Sequence, residues 1–243
     1  MLIRSRYYLT LICFFSSASL IWQDGDTSQI TTKVTLKNYV SAYSRWRDGT
    51  GTQSFEQIFY DSQTIGFARS GALLIHSQKA ITNKTGRPLG LVVNARGGSS
   101  INSWMKGAKD NYYDEALSRI RQAMKFGTLK AIIWHQGESD SNAPETYILK
   151  LQELVANLRK DLNNARLPFI VGELAEWRIN GTSETFNEML RTVPQHIPYS
   201  YCVSSKELVP LIDENDPHFS ADSQIILGRR YADAAYKACY SEE

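Results

Sequence analysis

The chain is poor in cysteine, close to neutral and without a long apolar run, and each lack removes a class of function. Three cysteines, Cys13, Cys202 and Cys239, spread over 243 residues, give neither a disulfide framework nor the paired spacing of a zinc site. One bridge between Cys202 and Cys239 is open to an exported protein, but two ordinary buried thiols are the simpler expectation. A formal net charge of +2, with Lys and Arg dispersed, offers no stripe for nucleic acid or an anionic membrane surface. The Gly-x-Gly-x-x-Gly spacing of dinucleotide binders is missing, as is a phosphate loop. No repeat, low-complexity tract or linker divides the chain, so no nucleic-acid, membrane, metal or cofactor partner is expected.

What remains is a globular composition, 42% hydrophobic and 21% charged, enough for one large domain with a sizeable core. At the N-terminus, Arg4 and Arg6 precede an apolar run from Tyr7 to Phe15, followed by Ser16, Ser17 and Ala18. That is the layout of a secretory signal peptide, too short for a membrane span, and it makes a secreted or periplasmic location the expectation. Residues 1–40 are read as an irregular segment and 41–243 as the domain; between Asp24 and Asp61 no elements are assigned.

Further on, apolar runs alternate with helical patterns. LGLVVN (Leu89 to Asn94), LKAIIW (Leu129 to Trp134), PFIVGEL (Pro168 to Leu174) and YSYCVS (Tyr199 to Ser204) read as strands. Helices are expected over 113–124, ending at Gly127, over 145–162, over 183–190, and from a Ser220 cap to about Tyr240. Strands alternating with helices imply an α/β fold, a three-layer α/β/α sandwich on a mostly parallel sheet.

In such a sheet ligands bind beyond the carboxyl ends of the strands, and three polar clusters fall there. Asn94-Ala95-Arg96-Gly97-Gly98-Ser99-Ser100 follows the first of these strands, and adjacent glycines let backbone N–H groups face a developing oxyanion; taken alone, a tight turn explains it as well. Trp134-His135-Gln136-Gly137-Glu138-Ser139-Asp140 follows LKAIIW and holds more polar residues than helix capping needs. Gln136 is a candidate oxyanion donor, with His135 and Glu138 anchoring a network beneath it. Asp213-Glu214-Asn215-Asp216-Pro217-His218-Phe219-Ser220 precedes the last helix and sets a histidine beside carboxylates, the arrangement of a general base oriented by an acid. Arg96, Trp104 and Trp177 are open to a glycan-lining role, although core packing suits the tryptophans better and a surface role suits Arg96.

Together, GGSS at 97–100, HQGES at 135–139 and HFSADSQIILGRRYA at 218–232 resemble the SGNH hydrolases, specifically the branch of sialate O-acetylesterases and acetylxylan esterases (carbohydrate esterase family 6-like). The resemblance covers about residues 60 to 240, and HQGES is its most specific part. It implies a serine-type esterase releasing acetate from acetylated sugars, such as sialic acid or xylan, without a cofactor. His218 would be the general base, Gly98 or Gly97 would give a backbone N–H to the oxyanion, and Gln136 would give its side chain. The family acid stands three residues before the histidine, where this chain has Asn215. Asp216 is the nearest substitute, with Asp213 behind it and Glu138 as a further option.

The family's nucleophile lies in a Gly-Gln-Ser-Asn-Met block after the first strand, and no such string exists here. Ser99, Ser100 and Ser139 sit in loops that the family uses for the oxyanion, and Ser16, Ser17 and Ser19 lack the Gly-x-Ser setting. The peptide Phe14 to Gly25, FFSSASLIWQDG, has a codon choice that spells LLIGQSNMAGR in another frame. An out-of-frame N-terminus, with the family's frame resuming between Asp26 and Thr64, would account for the loss. The alternatives are a catalytically inactive relative that binds acetylated glycan or acts as a scaffold, and a fragment that lacks a central strand and does not fold.

Overall fold

A computed structural model describes residues 9–16, 42–43, 77, 80–86, 89–125, 127–177 and 182–240. Six parallel strands form one sheet: β1 (Leu9–Ser16), β2 (Ala42–Tyr43), β3 (Leu89–Ala95), β4 (Gly127–His135), β5 (Phe169–Gly172) and β6 (Ser200–Val203). Their order is β2-β3-β1-β4-β5-β6, so the chain leaves β1 to one side for β3 and returns to the other for β4. That reversal makes the carboxyl end of β1 the switch point, where an open α/β sheet forms its crevice.

The side chains of β4 and β5 alternate between two cores, as the pleat requires. Ile132, Trp134, Phe169 and Val171 face helices α1 (Tyr112–Ala123), α2 (Pro144–Asp161) and α3 (Thr182–His196), which bury Tyr113, Ile120, Leu151, Leu158, Phe186 and Leu190. Ala131, Ile133, Ile170 and Val203 face the opposite layer, where α4 (Ala221–Tyr240) contributes Leu227, Tyr231 and Ala235, and the helical stretch 80–85 contributes Ile81. Each of the leucine, isoleucine, valine and phenylalanine side chains among them, fully buried, contributes about 1.5–3 kcal/mol. The three-layer α/β/α sandwich expected from the sequence is the architecture observed.

Three expectations need correction. Leu9–Ser16 is not irregular but the central strand, paired along its length with both β3 and β4. A signal-peptide core and a strand buried in a parallel sheet share one composition, a short continuous apolar run, and the sequence does not separate them. With β1 in place, the sheet lacks no central strand. Gly127 starts β4 instead of stopping α1, which ends at Ala123. Helix α3 continues past Leu190 to His196 despite Pro194, because Phe186, Leu190, Val193 and Ile197 form a fully buried stripe. That packing offsets the hydrogen bond a proline forfeits in the last turn. Cys202 and Cys239 are free thiols; burial pushes them up, to about 12 and about 11, so both stay protonated.

Candidate active site

The carboxyl end of β1 lies between the two loops singled out in the sequence: Ser16 is in register with Ala95 on one side and with His135 on the other. The carboxyl ends of β3 and β4, which lead into the Gly97-Gly98 and Gln136-Gly137 loops, thus flank the end of β1. Ser17, Ser19 and the rest of the expected nucleophile block lie outside the described residues.

The two loops are fastened to each other. The Gln136 side chain, buried at the end of β4, donates from Nε2 to the Ser99 carbonyl at 3.2 Å and to Asp140 Oδ2 at 2.7 Å. Asp140 Oδ2 also accepts the Ile101 N–H at 2.8 Å. The Tyr147 hydroxyl lies 2.9 Å from both oxygens of Gln136 and accepts the Trp134 indole N–H at 2.8 Å. Burial raises the Tyr147 phenol well above its ordinary value, so it stays a neutral donor. Both amide protons of Gln136 are thus taken, and the expected oxyanion donor acts here as a fastener. It reaches an oxyanion only by releasing the Ser99 carbonyl.

The glycine loop, by contrast, faces open space. Gly97 and Gly98 are exposed, Gly98 has φ +68°, and a Cβ there would meet nothing within 4 Å. Open space above a peptide in this conformation is what a ligand-facing donor needs. Ser99 is unsuited to nucleophilic attack: its hydroxyl donates to the Arg96 carbonyl at 2.8 Å and accepts the Trp104 indole N–H at 2.9 Å. Ser139 Oγ donates to the Gly98 carbonyl at 3.3 Å. Trp104 packs on Tyr112 and Trp134 and is 3% exposed, which makes it a core residue and not a glycan platform. Arg96 is exposed.

His135 goes to the opposite layer. It is buried, and its Nδ1 lies 2.8 Å from the Tyr231 hydroxyl on α4. Burial lowers its basicity, partly opposed by Glu138. It ties the end of β4 to α4. Glu138 itself caps the Gly137 N–H at 3.2 Å.

The last cluster forms a hairpin-like loop. Leu211 N–H donates to the His218 carbonyl, Ser220 N–H donates to the Val209 carbonyl, and Pro210 bridges Phe219. Within it His218 Nδ1 and Asp216 Oδ1 are 2.5 Å apart, and the same Oδ1 accepts the His218 N–H at 2.9 Å. Asp213 caps the Asn215 N–H at 2.8 Å and shapes the loop. Of the three acids open from sequence, Asp216 is the one the structure pairs with His218, with both side chains only partly exposed. Ser220 caps α4 as expected, accepting the Ser223 N–H at 3.3 Å.

Comparison with known proteins fits this arrangement. The family model described as carbohydrate esterase, sialic acid-specific acetylesterase, matches residues 27–237. The chain belongs to this carbohydrate esterase family. The match begins just beyond Phe14 to Gly25. A probable carbohydrate esterase of Arabidopsis thaliana is 32% identical over 152 residues, 60% of this chain and 55% of that protein. The match spans about half of the relative's length. An Arabidopsis thaliana protein of known X-ray structure superposes with a TM-score of 0.68 at 25% identity, over 93% of this chain and 98% of that one. A carbohydrate acetylesterase from Xanthomonas citri shares the fold, with a TM-score of 0.59 at 22% identity over 70% of this chain and 41% of the other.

Several residues that build the site carried no role in the sequence reading. Asp140 lay inside HQGESD without a catalytic or binding role, Tyr147 within an expected helix, and Tyr231 within the HFSADSQIILGRRYA block. Glu173, just beyond β5, is 2% exposed and binds Arg191 Nε at 2.5 Å, Ser204 Oγ at 2.9 Å and the Ser205 N–H at 2.8 Å. A carboxylate at a strand's carboxyl end was its only signal.

Proposed function

We propose that this domain hydrolyses acetyl esters on carbohydrates by the serine-type route, with His218 as general base and Asp216 as its orienting acid. The observation that carries the reading is the Asp216–His218 contact of 2.5 Å, in a chain of the carbohydrate esterase family. Asp216 on Nδ1 leaves Nε2 to exchange protons with a serine and a leaving group. In this reading the attacking serine comes from the residues that follow β1 in sequence. Its oxygen adds to the acetyl carbon as His218 takes the proton, and the carbonyl oxygen becomes negative against the N–H groups of the Gly97-Gly98 loop. Collapse expels the sugar hydroxyl, which recovers the proton from His218, and water then releases acetate from the serine. No step calls for a metal, and among the described residues no cluster suits one.

The out-of-frame reading of Phe14 to Gly25 supplies that serine, and it is supported by the family match starting at residue 27. The test is to read the nucleotide sequence across codons 8 to 65, and to assay this chain beside one carrying LLIGQSNMAGR in place of residues 14–24. Acetate release from acetylated xylan or O-acetyl sialic acid by the restored chain alone supports both readings. A restored, folded chain that releases none sinks the esterase assignment and favours a glycan-binding or scaffold role. Codons that spell Gly-Gln-Ser in no frame leave the serine truly lost.

A further inference from the structure

We propose that Trp177 is the positioning residue for the Asp216–His218 pair, gripping the loop on both sides of the histidine. This rests on the role given to that pair above. The Trp177 indole N–H donates to the Asp216 carbonyl at 2.8 Å. Its ring meets Phe219 edge-on, with centroids 5.1 Å apart at 86°. One side chain thus holds the residue two before His218 and the residue immediately after it.

The hold falls where the loop is least able to hold itself. The peptide joining Asp216 to Pro217 has no N–H, so its carbonyl is its single polar handle. The described backbone hydrogen bonds of residues 209–220 run largely within the loop or to the first turn of α4. They fix its hairpin shape but not its seat on the sheet. The carbonyl that Trp177 takes sets the orientation of the Asp216 Cα, and with it the direction of the carboxylate that meets Nδ1.

Trp177 also connects the loop to the sheet. Phe219 packs against His135 with centroids 5.7 Å apart, and His135 contacts Tyr231. An aromatic chain, Trp177–Phe219–His135–Tyr231, therefore runs from the segment after β5, under the dyad, to the end of β4 and to α4. The sequence separation of 39 between Trp177 and Asp216 makes this brace wholly tertiary.

The readout is the proton shared by His218 Nδ1 and Asp216, seen by NMR as a far-downfield imino resonance and assigned by its loss in His218→Ala. It needs no esterase activity, so it stays independent of the nucleophile. We expect Trp177→Phe to lose this resonance, or to move it strongly upfield, while keeping a cooperative melt. If that variant does not fold, benzothienylalanine at position 177 keeps the bicyclic ring and removes only the donor, with the same expectation. A resonance unchanged in a folded variant lacking the N–H overturns the positioning role. A wild-type spectrum without such a resonance overturns the Asp216–His218 pairing, and the positioning role with it.

Discussion

The Tyr231 hydroxyl sits directly over Gly172, close enough that a Cβ on Gly172 would lie 1.7 Å from it and 2.8 Å from His135 Nδ1. The missing side chain of Gly172 is thus the space in which the sheet and α4 exchange their buried hydrogen bond. Burial raises the Tyr231 phenol well above its ordinary value, so the hydroxyl keeps its proton for that bond.

Gly172→Ala forces Tyr231 aside, in a packed layer with no room to yield. Overpacking and a broken buried hydrogen bond together predict a loss of about 2–4 kcal/mol. Tyr231→Phe, which removes only the hydroxyl, should cost less, roughly 1–3 kcal/mol. Urea unfolding midpoints at constant slope read both; equal midpoints for Gly172→Ala and wild type would show that the close approach is absent.

The pH dependence of stability follows from His135. Its burial holds the ring below the ordinary value of 6.5 and so favours the neutral form. Below that pH the unfolded chain binds a proton that the folded chain refuses, so stability falls as pH drops and is unaffected above it. The slope approaches about 1.4 kcal/mol per pH unit. His135→Asn removes this proton uptake, so its stability deficit relative to wild type should shrink between pH 7.5 and 5.5. A deficit that stays constant over that range would rule out His135 as the titrating group.

Asp140 predicts the coupling of the two loops. Asp140→Ala removes the acceptor shared by Gln136 Nε2 and the Ile101 N–H, leaving two donors without it at a cost of roughly 1–3 kcal/mol. Amide exchange at Ile101 should accelerate, by about tenfold for each 1.4 kcal/mol of local stability lost. Protection unchanged at Ile101 would mean that the loops hold without the carboxylate.

Much of this protein was legible in order. The strand and helix alternation implied the three layers, and two of the polar clusters directly follow β3 and β4. Elements were legible because burial imposes a period on the side chains, and a period survives in one dimension. Two patterns each serve two states. The apolar run before Ser16 suits an exported leader as well as a central strand, and Pro194 marks a helix end only when packing does not continue past it.

By itself, the sequence determined the fold class, the family and the His218 cluster, because these rest on residue types at short, fixed spacings. Only the tertiary structure paired Asp216 with His218, committed both side-chain amide protons of Gln136, and set Trp177 behind the Asp216 carbonyl. Those are questions of direction and distance between groups far apart in the chain. A hydrogen bond is decided within a few tenths of an ångström, and sequence spacing carries no such information.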